Sequence, residues 1–478
     1  MATSTWFAAT NCRVPQLEGT ASHLELGRLH LYYQGLDFPS SPLGWYTIDV
    51  RTMQVDASTP PAVTGPSVGP TTVTVGEDMV AVSCSAFNTD PVFAAVERTT
   101  GRFAYFTDLF LAPLVVPALG IPLMLRGAGE EPRGEETLVR EVRRISYSTV
   151  QETRYSRRGW ETRFGQAIDL LSRFRKPTRH DPMKAGLDQI AALEDVLGAI
   201  AAGAPEGARY STLLSGGIDS GAVTFLAHEA GMAVDPCSVG TPWGDEFDDA
   251  QELCDYAGLS LTRAELGEED FVDAVPEAVR WLGHATPEVV EVALTAVAVH
   301  RAGVLPAGQT LLTGYGSDLI NAGLFSPFET DRELAEQTVQ AVHRTRFSDE
   351  LSSRMGLAYN RMIHHPFWEW PVMRVALETA PGCKVREGRE KYHLRKAINT
   401  RLPYEIAWRR KIAVHHGGGL QDGIARRLAA DTGGSDRGRV YHACFAALMA
   451  SAGENGLDAW QARDIYEQAV HSSKVQLL

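Results

Sequence analysis

The stretch Tyr210-Ser211-Thr212-Leu213-Leu214-Ser215-Gly216-Gly217-Ile218-Asp219-Ser220-Gly221 decides the fold. Tyr210–Leu214 is apolar and β-prone, so it reads as a short buried strand. Ser215–Ser220 is a loop whose glycines let backbone N–H groups turn toward an anion. Gly221–Glu229 continues as a helix and Gly231 closes it. A strand running through such a loop into a helix N-terminus is a phosphate cradle. Ser215 and Ser220 add hydroxyl donors, and Asp219 can hold a Mg²⁺ ion that bridges phosphates. There is no Gly-Lys-Ser/Thr, so the loop is not of the kind used for γ-phosphate transfer.

Outward from this loop the pattern repeats. Val234–Val239 reads as a second strand, about 246–257 as a helix, and Gln309–Thr313 as a further strand after two more helices. Such alternation predicts an α/β domain with a parallel sheet flanked by helices and a ligand site at the carboxyl ends of its strands. The block Leu311-Leu312-Thr313-Gly314-Tyr315-Gly316-Ser317-Asp318 follows a strand too, so its loop is expected at the same sheet edge, with Asp318 as a second carboxylate for Mg²⁺. Upstream, Leu187, Ile190, Leu193, Leu197 and Ile200 recur at helical spacing. Residues 173–186 are polar and carry Pro177 and Pro182, which marks a linker. Before it, Leu29–Tyr33, Thr71–Val75, Val80–Cys84, Phe103–Thr107 and Thr149–Tyr155 read as strands, and Pro60–Pro70 as a loop. Two domains are therefore expected, 1–180 and 181–478. From Asp331 onward the chain reads as mainly helical.

Bulk properties narrow the function. Over 478 residues, 44% hydrophobic and 22% charged describe an ordinary globular protein. The net charge of −14 argues against a nucleic-acid partner, which would need clustered Lys and Arg. The start Met1-Ala2-Thr3 lacks the basic and apolar regions of a signal peptide, and the six cysteines form no CxxC, so a reduced, cytoplasmic protein is expected. Leu109–Leu125 is apolar, but Pro113, Pro117 and Pro122 argue against a membrane span, and buried strands joined by turns are expected there. His364-His365 and His415-His416 lack metal-ligand spacing, so no zinc site is expected.

The two loops together resemble those of the asparagine synthetase superfamily. Arg344-Thr345-Arg346-Phe347, Asp349-Glu350, His365-Pro366-Phe367-Trp368, Gly388-Arg389-Glu390-Lys391-Tyr392 and Trp408-Arg409-Arg410-Lys411-Ile412 resemble its β-lactam synthetase and carbapenam synthetase branch, over roughly 205–425. The resemblance implies an enzyme that uses ATP and Mg²⁺, releases AMP and pyrophosphate, and passes through an acyl-adenylate. It places Tyr315, Glu350 and Lys411 as catalytic residues, with Tyr315 and Glu350 as a proton-accepting pair. Lys411 would neutralise charge on the acyl oxygen and the leaving phosphate. Ser215, Gly216, Gly217, Asp219, Ser220, Val239, Gly314, Lys391 and Lys411 would contact the nucleotide, and Asp219 and Asp318 the metal. It also implies an N-terminal αββα domain of the amidohydrolase (Ntn) type. Glutamine-dependent relatives use a cysteine directly after the initiator Met. Here Ala2 takes that place and the first cysteine is Cys12, so no glutaminase activity is expected.

The expected substrate is a small amino-acid derivative carrying a carboxylate and an internal amine, which closes into a lactam as in antibiotic biosynthesis. A ligase that joins two molecules or cyclises a peptide is the alternative, and an ATP-binding scaffold or sensor without catalysis is a third. A homo-oligomer is the expected assembly. Two positions depart from the family pattern: Gly221 replaces a usual serine, and Asn321-Ala322-Gly323 lacks a usual second glycine.

Overall fold

The computed structural model describes residues 4–40, 44–58, 68–87, 90–165, 171, 176–323, 330–352, 354–409, 419–434 and 436–475. Met1, Ala2, most of the Pro60–Pro70 loop, and Lys411, His415 and His416 lie outside them. The N-terminal half is built from β1 (Trp6–Thr10), β2 (Ser22–Leu26), β3 (Leu29–Gln34), β4 (Tyr46–Asp49), β5 (Val55–Ala57) and β6 (Thr72–Gly76). It continues with β7 (Met79–Ser83), β8 (Phe93–Glu97), β9 (Arg102–Phe106), β10 (Val142–Arg144), β11 (Val150–Ser156) and β12 (Gly159–Phe164). These form two antiparallel six-stranded sheets, ordered β10-β8-β9-β1-β3-β2 and β12-β11-β7-β6-β4-β5.

Side-chain alternation explains how the two sheets stack. Phe7, Ala9, Leu31, Phe103 and Tyr105 face Val73, Val75, Val80 and Val82 of the second sheet across one apolar layer. The opposite face of the first sheet presents Trp6, Ala8, Tyr32 and Phe106. The β layers match the αββα expectation, but the helical layers do not. Among the described residues before 180, the helical elements are a 3₁₀ turn or turns and the seven-residue α1 (Ala112–Ala118). The first sheet's outer face is covered instead by helices from the second half, because that face shares one core with Phe271, Val275 and Phe445.

Leu109–Leu125 corrects a second expectation. In place of buried strands it forms a 3₁₀ turn, Leu109–Leu111, leading directly into α1. Asp108 caps the turn by accepting from Phe110 N at 3.0 Å. Pro113 falls in the first turn of α1, where a missing N–H costs nothing. Pro117 falls in the last turn of α1 and Pro122 follows its C-cap Leu119, so the segment is a short helix with prolines near its ends and not a long one. No single helix among the described residues is long and apolar enough to cross a membrane.

The second half opens with α2 (Pro182–Ala202), capped by Asp181, whose side chain accepts from Met183 N and Lys184 N. Ile190, Leu193 and Leu197 are buried on its inner stripe, whereas Leu187 is 43% exposed and lies off it. The chain then runs β13 (Arg209–Leu213), α3 (Ile218–Glu229), β14 (Ala233–Gly240), α4 (Phe247–Ala257), β15 (Thr262–Glu265), α5 (Glu268–Leu282) and α6 (Pro287–Arg301). After these come β16 (Thr310–Leu312), α7 (Ser317–Ile320), α8 (Asp331–Thr345) and β17 (Ile363–His364). The five strands are all parallel, in the order β15-β14-β13-β16-β17. One face packs on α5 and α6 through Cys237, Leu311 and Ile363, the other on α2 and α3 through Tyr210, Val234 and Leu312. Strand order reverses between β13 and β16, so the switch point of the sheet, at the carboxyl ends of those two strands, is where a crevice is expected.

Gly221, the departure noted in the sequence, lies inside α3 with a non-positive φ, and a Cβ there would meet only Leu253 Cδ2 at 3.5 Å. Alanine restores helix propensity without a clash. Gly221→Ala should stabilise the protein by about 0.5–1 kcal/mol, read as a higher urea midpoint at unchanged slope. A lower midpoint would mean that α3 needs the glycine.

Candidate active site

The loop Ser215–Ser220 joins β13 to α3 and is held by its own hydroxyls. Ser220 Oγ accepts from Ser215 N at 3.0 Å and lies 2.9 Å from Ser215 Oγ, which accepts from Gly217 N at 3.2 Å. The side chains that could meet a phosphate are thus braced before any ligand arrives. Asp219 sits in the first turn of α3, where its negative charge suits the helix N-terminus.

The loop after β16 comes very close to this one. A Cβ on Gly314 would lie 2.5 Å from Ser220 N and 2.7 Å from the carbonyl carbon of Asp219. Ser317 Oγ donates to Asp219 Oδ1 at 2.6 Å, and Asn321 Nδ2 donates to Ser317 Oγ at 3.0 Å. Lys391, fully buried at the start of the helix Tyr392–Ile398, places its Nζ 2.5 Å from both Asp219 Oδ2 and Asp318 Oδ1. Two carboxylates from two loops therefore converge on one cation. Gly323 makes room for this cluster, since a Cβ there would strike Asp318 Oδ1 at 2.0 Å and Lys391 Cε at 2.6 Å. Ala322 takes a left-handed φ of 59°, the conformation that glycine would adopt more freely.

Ser215, Asp219, Ser220, Val239, Gly314 and Asp318 line a cleft that opens at the carboxyl ends of β13, β14 and β16. Tyr315 and Glu350 line the same cleft, and both also border a smaller apolar recess beside Trp281 and Met355. Gly216 and Gly217 belong to the same loop without lining the cleft, and Lys391 meets it through the two aspartates.

Tyr315 is fixed from several sides. Its ring stacks on His365, with centroids 5.9 Å apart and planes 15° apart. Its backbone N–H donates to Thr313 Oγ1 at 3.2 Å, and that oxygen lies 2.6 Å from His365 Nδ1. Burial lowers the His365 pKa to about 3, so the ring is neutral. The Tyr315 hydroxyl donates to Val292 O at 3.4 Å. Glu350 differs from an ordinary carboxylate. Burial pushes its pKa up to about 7, against the opposing pull of the Thr345 and Ser348 hydroxyls and the Arg344 charge. A carboxylate that titrates near neutrality can accept a proton and release it again.

Sequence reasoning passed over several of these groups. His365 and Ser317 stood inside quoted motifs without a role, because one stacks and the other bonds across loops distant in the chain. Arg409, next to the Lys411 segment, donates to Asp249 O at 2.8 Å and to Gly216 O at 3.4 Å. Arg395 in turn holds the carbonyls of Ala407 and Arg409, at 3.0 and 2.8 Å. The chain leading to Lys411 is thereby tied to the rim of the phosphate loop.

A doubly flanked parallel sheet with a phosphate loop at its switch point and two converging carboxylates is the frame of a nucleotide-dependent synthetase. The family model for asparagine synthase matches residues 194–362 and 332–472, together more than half of the chain, and the chain belongs to that family. Within the family its similarity runs to the β-lactam-forming branch. It is 32% identical over 218 residues to the carboxyethyl-arginine β-lactam synthase of Streptomyces clavuligerus, covering 45% of this chain and 42% of that one. Similarity to the glutamine-hydrolysing asparagine synthetase B of Escherichia coli is 23% over 221 residues, 42% of this chain and 40% of that one. The matches thus span less than half the length of these relatives. The NMN synthetase structure from Francisella tularensis covers 62% of this chain and 94% of its own at 11% identity, with a TM-score of 0.27, too low to carry an argument.

Gly314 offers a direct test of the crevice. In Gly314→Ala the added methyl presses on the backbone of Asp219 and Ser220, and overpacking of about 1–3 kcal/mol should weaken ATP binding roughly tenfold or more. Calorimetric titration with ATP, on a variant shown by circular dichroism to be folded, reads the effect. Unchanged affinity would place the nucleotide elsewhere.

Proposed function

We propose that the protein is an ATP-dependent, AMP-forming lactam synthetase that closes a β-lactam ring, similar to carbapenam synthetase, in antibiotic-type biosynthesis. The observation that carries this reading is the meeting of Asp219, Asp318, Tyr315 and Glu350 in one cleft at the switch point of the sheet. The substrate is a small amino-acid derivative with a free carboxylate and an internal amine.

The residues divide the work between two steps. In the first, a carboxylate oxygen of the substrate attacks the α-phosphorus of ATP and pyrophosphate leaves. Ser215 and Ser220 receive the departing phosphates through their hydroxyls and the α3 N-terminus. Asp219 and Asp318, whose oxygens converge on the Lys391 ammonium, would hold Mg²⁺ beside that ammonium together with phosphate and water. The ion would neutralise phosphate charge there. In the second step the amine attacks the acyl carbon and AMP leaves. The Tyr315 oxygen takes the amine's proton as its own passes to Glu350, so no net charge accumulates on the phenol. Lys411 would counter the developing oxyanion. Intramolecular attack needs no separate amine, because effective molarity replaces a second substrate.

The 23% similarity to asparagine synthetase B, whose name describes a glutamine-hydrolysing enzyme, keeps the joining of two molecules as the second reading. A screen of amino diacids for pyrophosphate release, followed by mass analysis, separates the two. Loss of one water within a single substrate supports ring closure, and a product of two summed masses less one water supports the ligase. ADP and phosphate as products would overturn the reading altogether.

Glu350 supplies the sharper prediction. As the proton acceptor, it must be ionised, and burial holds its pKa near 7. Ring closure should therefore rise with pH through about 7 and level off above it. Glu350→Gln should slow product formation roughly 10²–10⁴-fold and abolish that rise, while substrate-dependent exchange of pyrophosphate into ATP persists. An equal collapse of exchange in a folded variant would make Glu350 a positioning residue.

A further inference from the structure

Glu350 lies in a segment without regular structure, between the end of α8 at Thr345 and the helix Arg354–Ala358. No ladder of backbone hydrogen bonds fixes its direction. Its neighbour Asp349 adopts φ 59°, a left-handed conformation that a non-glycine residue holds only when its surroundings impose it. What imposes it comes from the other half of the chain. Arg144, on the edge strand β10 of the first sheet, binds Asp349 with both arms of its guanidinium, Nη2 to Oδ2 at 2.6 Å and Nη1 to Oδ1. Both side chains are only 3% exposed. Nη1 also donates to Tyr147 Oη at 3.2 Å, which braces the fork from its own side.

Other bonds from the N-terminal half bracket the same segment. Arg346 Nη1 donates to Ala86 O at 2.9 Å, and Ser352 Oγ donates to Asp90 Oδ1 at 3.0 Å. We propose that Arg144 is a positioning residue for ring closure, its ion pair with Asp349 setting the left-handed turn that carries Glu350 into the cleft. The proposal rests on the reading of Glu350 as the proton acceptor. Asp349 points back into the N-terminal half while Glu350 faces the cleft, so a rotation at Asp349 moves the base directly. The two-sheet half is then part of the synthetase site, with no chemistry of its own required.

A second buried pair provides the control. Arg280 and Asp108, each 2% exposed, also join the two halves, at 2.9 and 3.0 Å, but lie outside the 346–352 segment. If Arg144 only glued the halves together, Arg280 would be its equal. Lysine keeps the charge at either site but loses the two-armed geometry.

The test compares Arg144→Lys with Arg280→Lys in the full chain. Amide hydrogen exchange without ligand should quicken about tenfold over 345–352 in Arg144→Lys and stay unchanged there in Arg280→Lys. With carboxyethyl-arginine and MgATP as the probe, Arg144→Lys should retain pyrophosphate exchange within about twofold and lose ring closure roughly 10–100-fold. Equal effects of the two variants on the segment, or an equal fall in both steps, would overturn the proposal. Should the wild-type protein give no exchange with carboxyethyl-arginine, that result counts against the arginine-derived substrate, and amide exchange alone decides about Arg144. If Arg144→Lys does not fold, Tyr147→Phe carries the same comparison, with exchange over 345–352 quickening about threefold. No change in that variant would overturn the proposal as well.

Discussion

The ammonium of Lys391, buried between Asp219 and Asp318, is the interaction on which the site depends. A fully buried lysine is tolerable only when its charge is matched at close range, and removing one partner of such a cluster costs about 3–5 kcal/mol. Each partner comes from a different part of the chain: the phosphate loop, the loop after β16, and the start of the helix Tyr392–Ile398. The cluster therefore locks three elements whose sequence positions span more than 170 residues, and it forces glycine at 323. Its formal charge is one negative in excess. That surplus suits a site built to receive a further cation together with phosphates.

The N-terminal half touches this site from behind: its described residues do not line the cleft, but Arg144, Ala86 and Asp90 hold the segment that carries Glu350. Its first sheet and the helices α5 and α6 share one continuous apolar core, from Trp6 and Phe106 to Phe271 and Val297. Separable domains usually meet across smaller, more polar contacts. Here a hinge would have to open a core, so the two halves move as one body. The pairs Arg144–Asp349 and Arg280–Asp108 across the seam are almost fully desolvated, which makes them sensitive to geometry in a way that surface pairs are not.

Much of the parallel-sheet half was legible because strand, glycine loop and helix follow one another in sequence, and each has its own local chemistry. The residues that line the cleft were legible for the same reason: they sit at fixed offsets from strands. What could not be read was long-range or too short. β15 is four residues, largely polar, and β17 only two, so neither shows a period. The pairs Lys391–Asp219 and Arg144–Asp349 join residues about two hundred positions apart, and a charge has no sequence signature of its partner. Left-handed turns at Asp349 and Lys391 carry no glycine to announce them. Leu109–Leu125 misled because proline counts against a long helix, yet favours the first turn of a short one. The covering of the first sheet by helices of the second half was invisible because a sheet's apolar face does not say which part of the chain will cover it.

The chemistry explains why the cleft has two unlike ends. Pyrophosphate loss needs charge neutralised in a polar setting, and the Asp219–Asp318–Lys391 end, with its surplus carboxylate for a further cation, suits that. Amine attack needs a base that can be neutral at one moment and charged the next, which water would prevent by stabilising the carboxylate. The Glu350 end is accordingly apolar, with Leu351 and the recess beside Trp281 and Met355 holding water away. A single polar site could do the first step but would leave Glu350 an ordinary, weakly basic carboxylate. A single apolar site would raise the cost of the phosphate charges beyond what two hydroxyls and a helix end can offset. Placing Tyr315 where the two environments meet lets one acyl group, held still, pass from the first chemistry to the second.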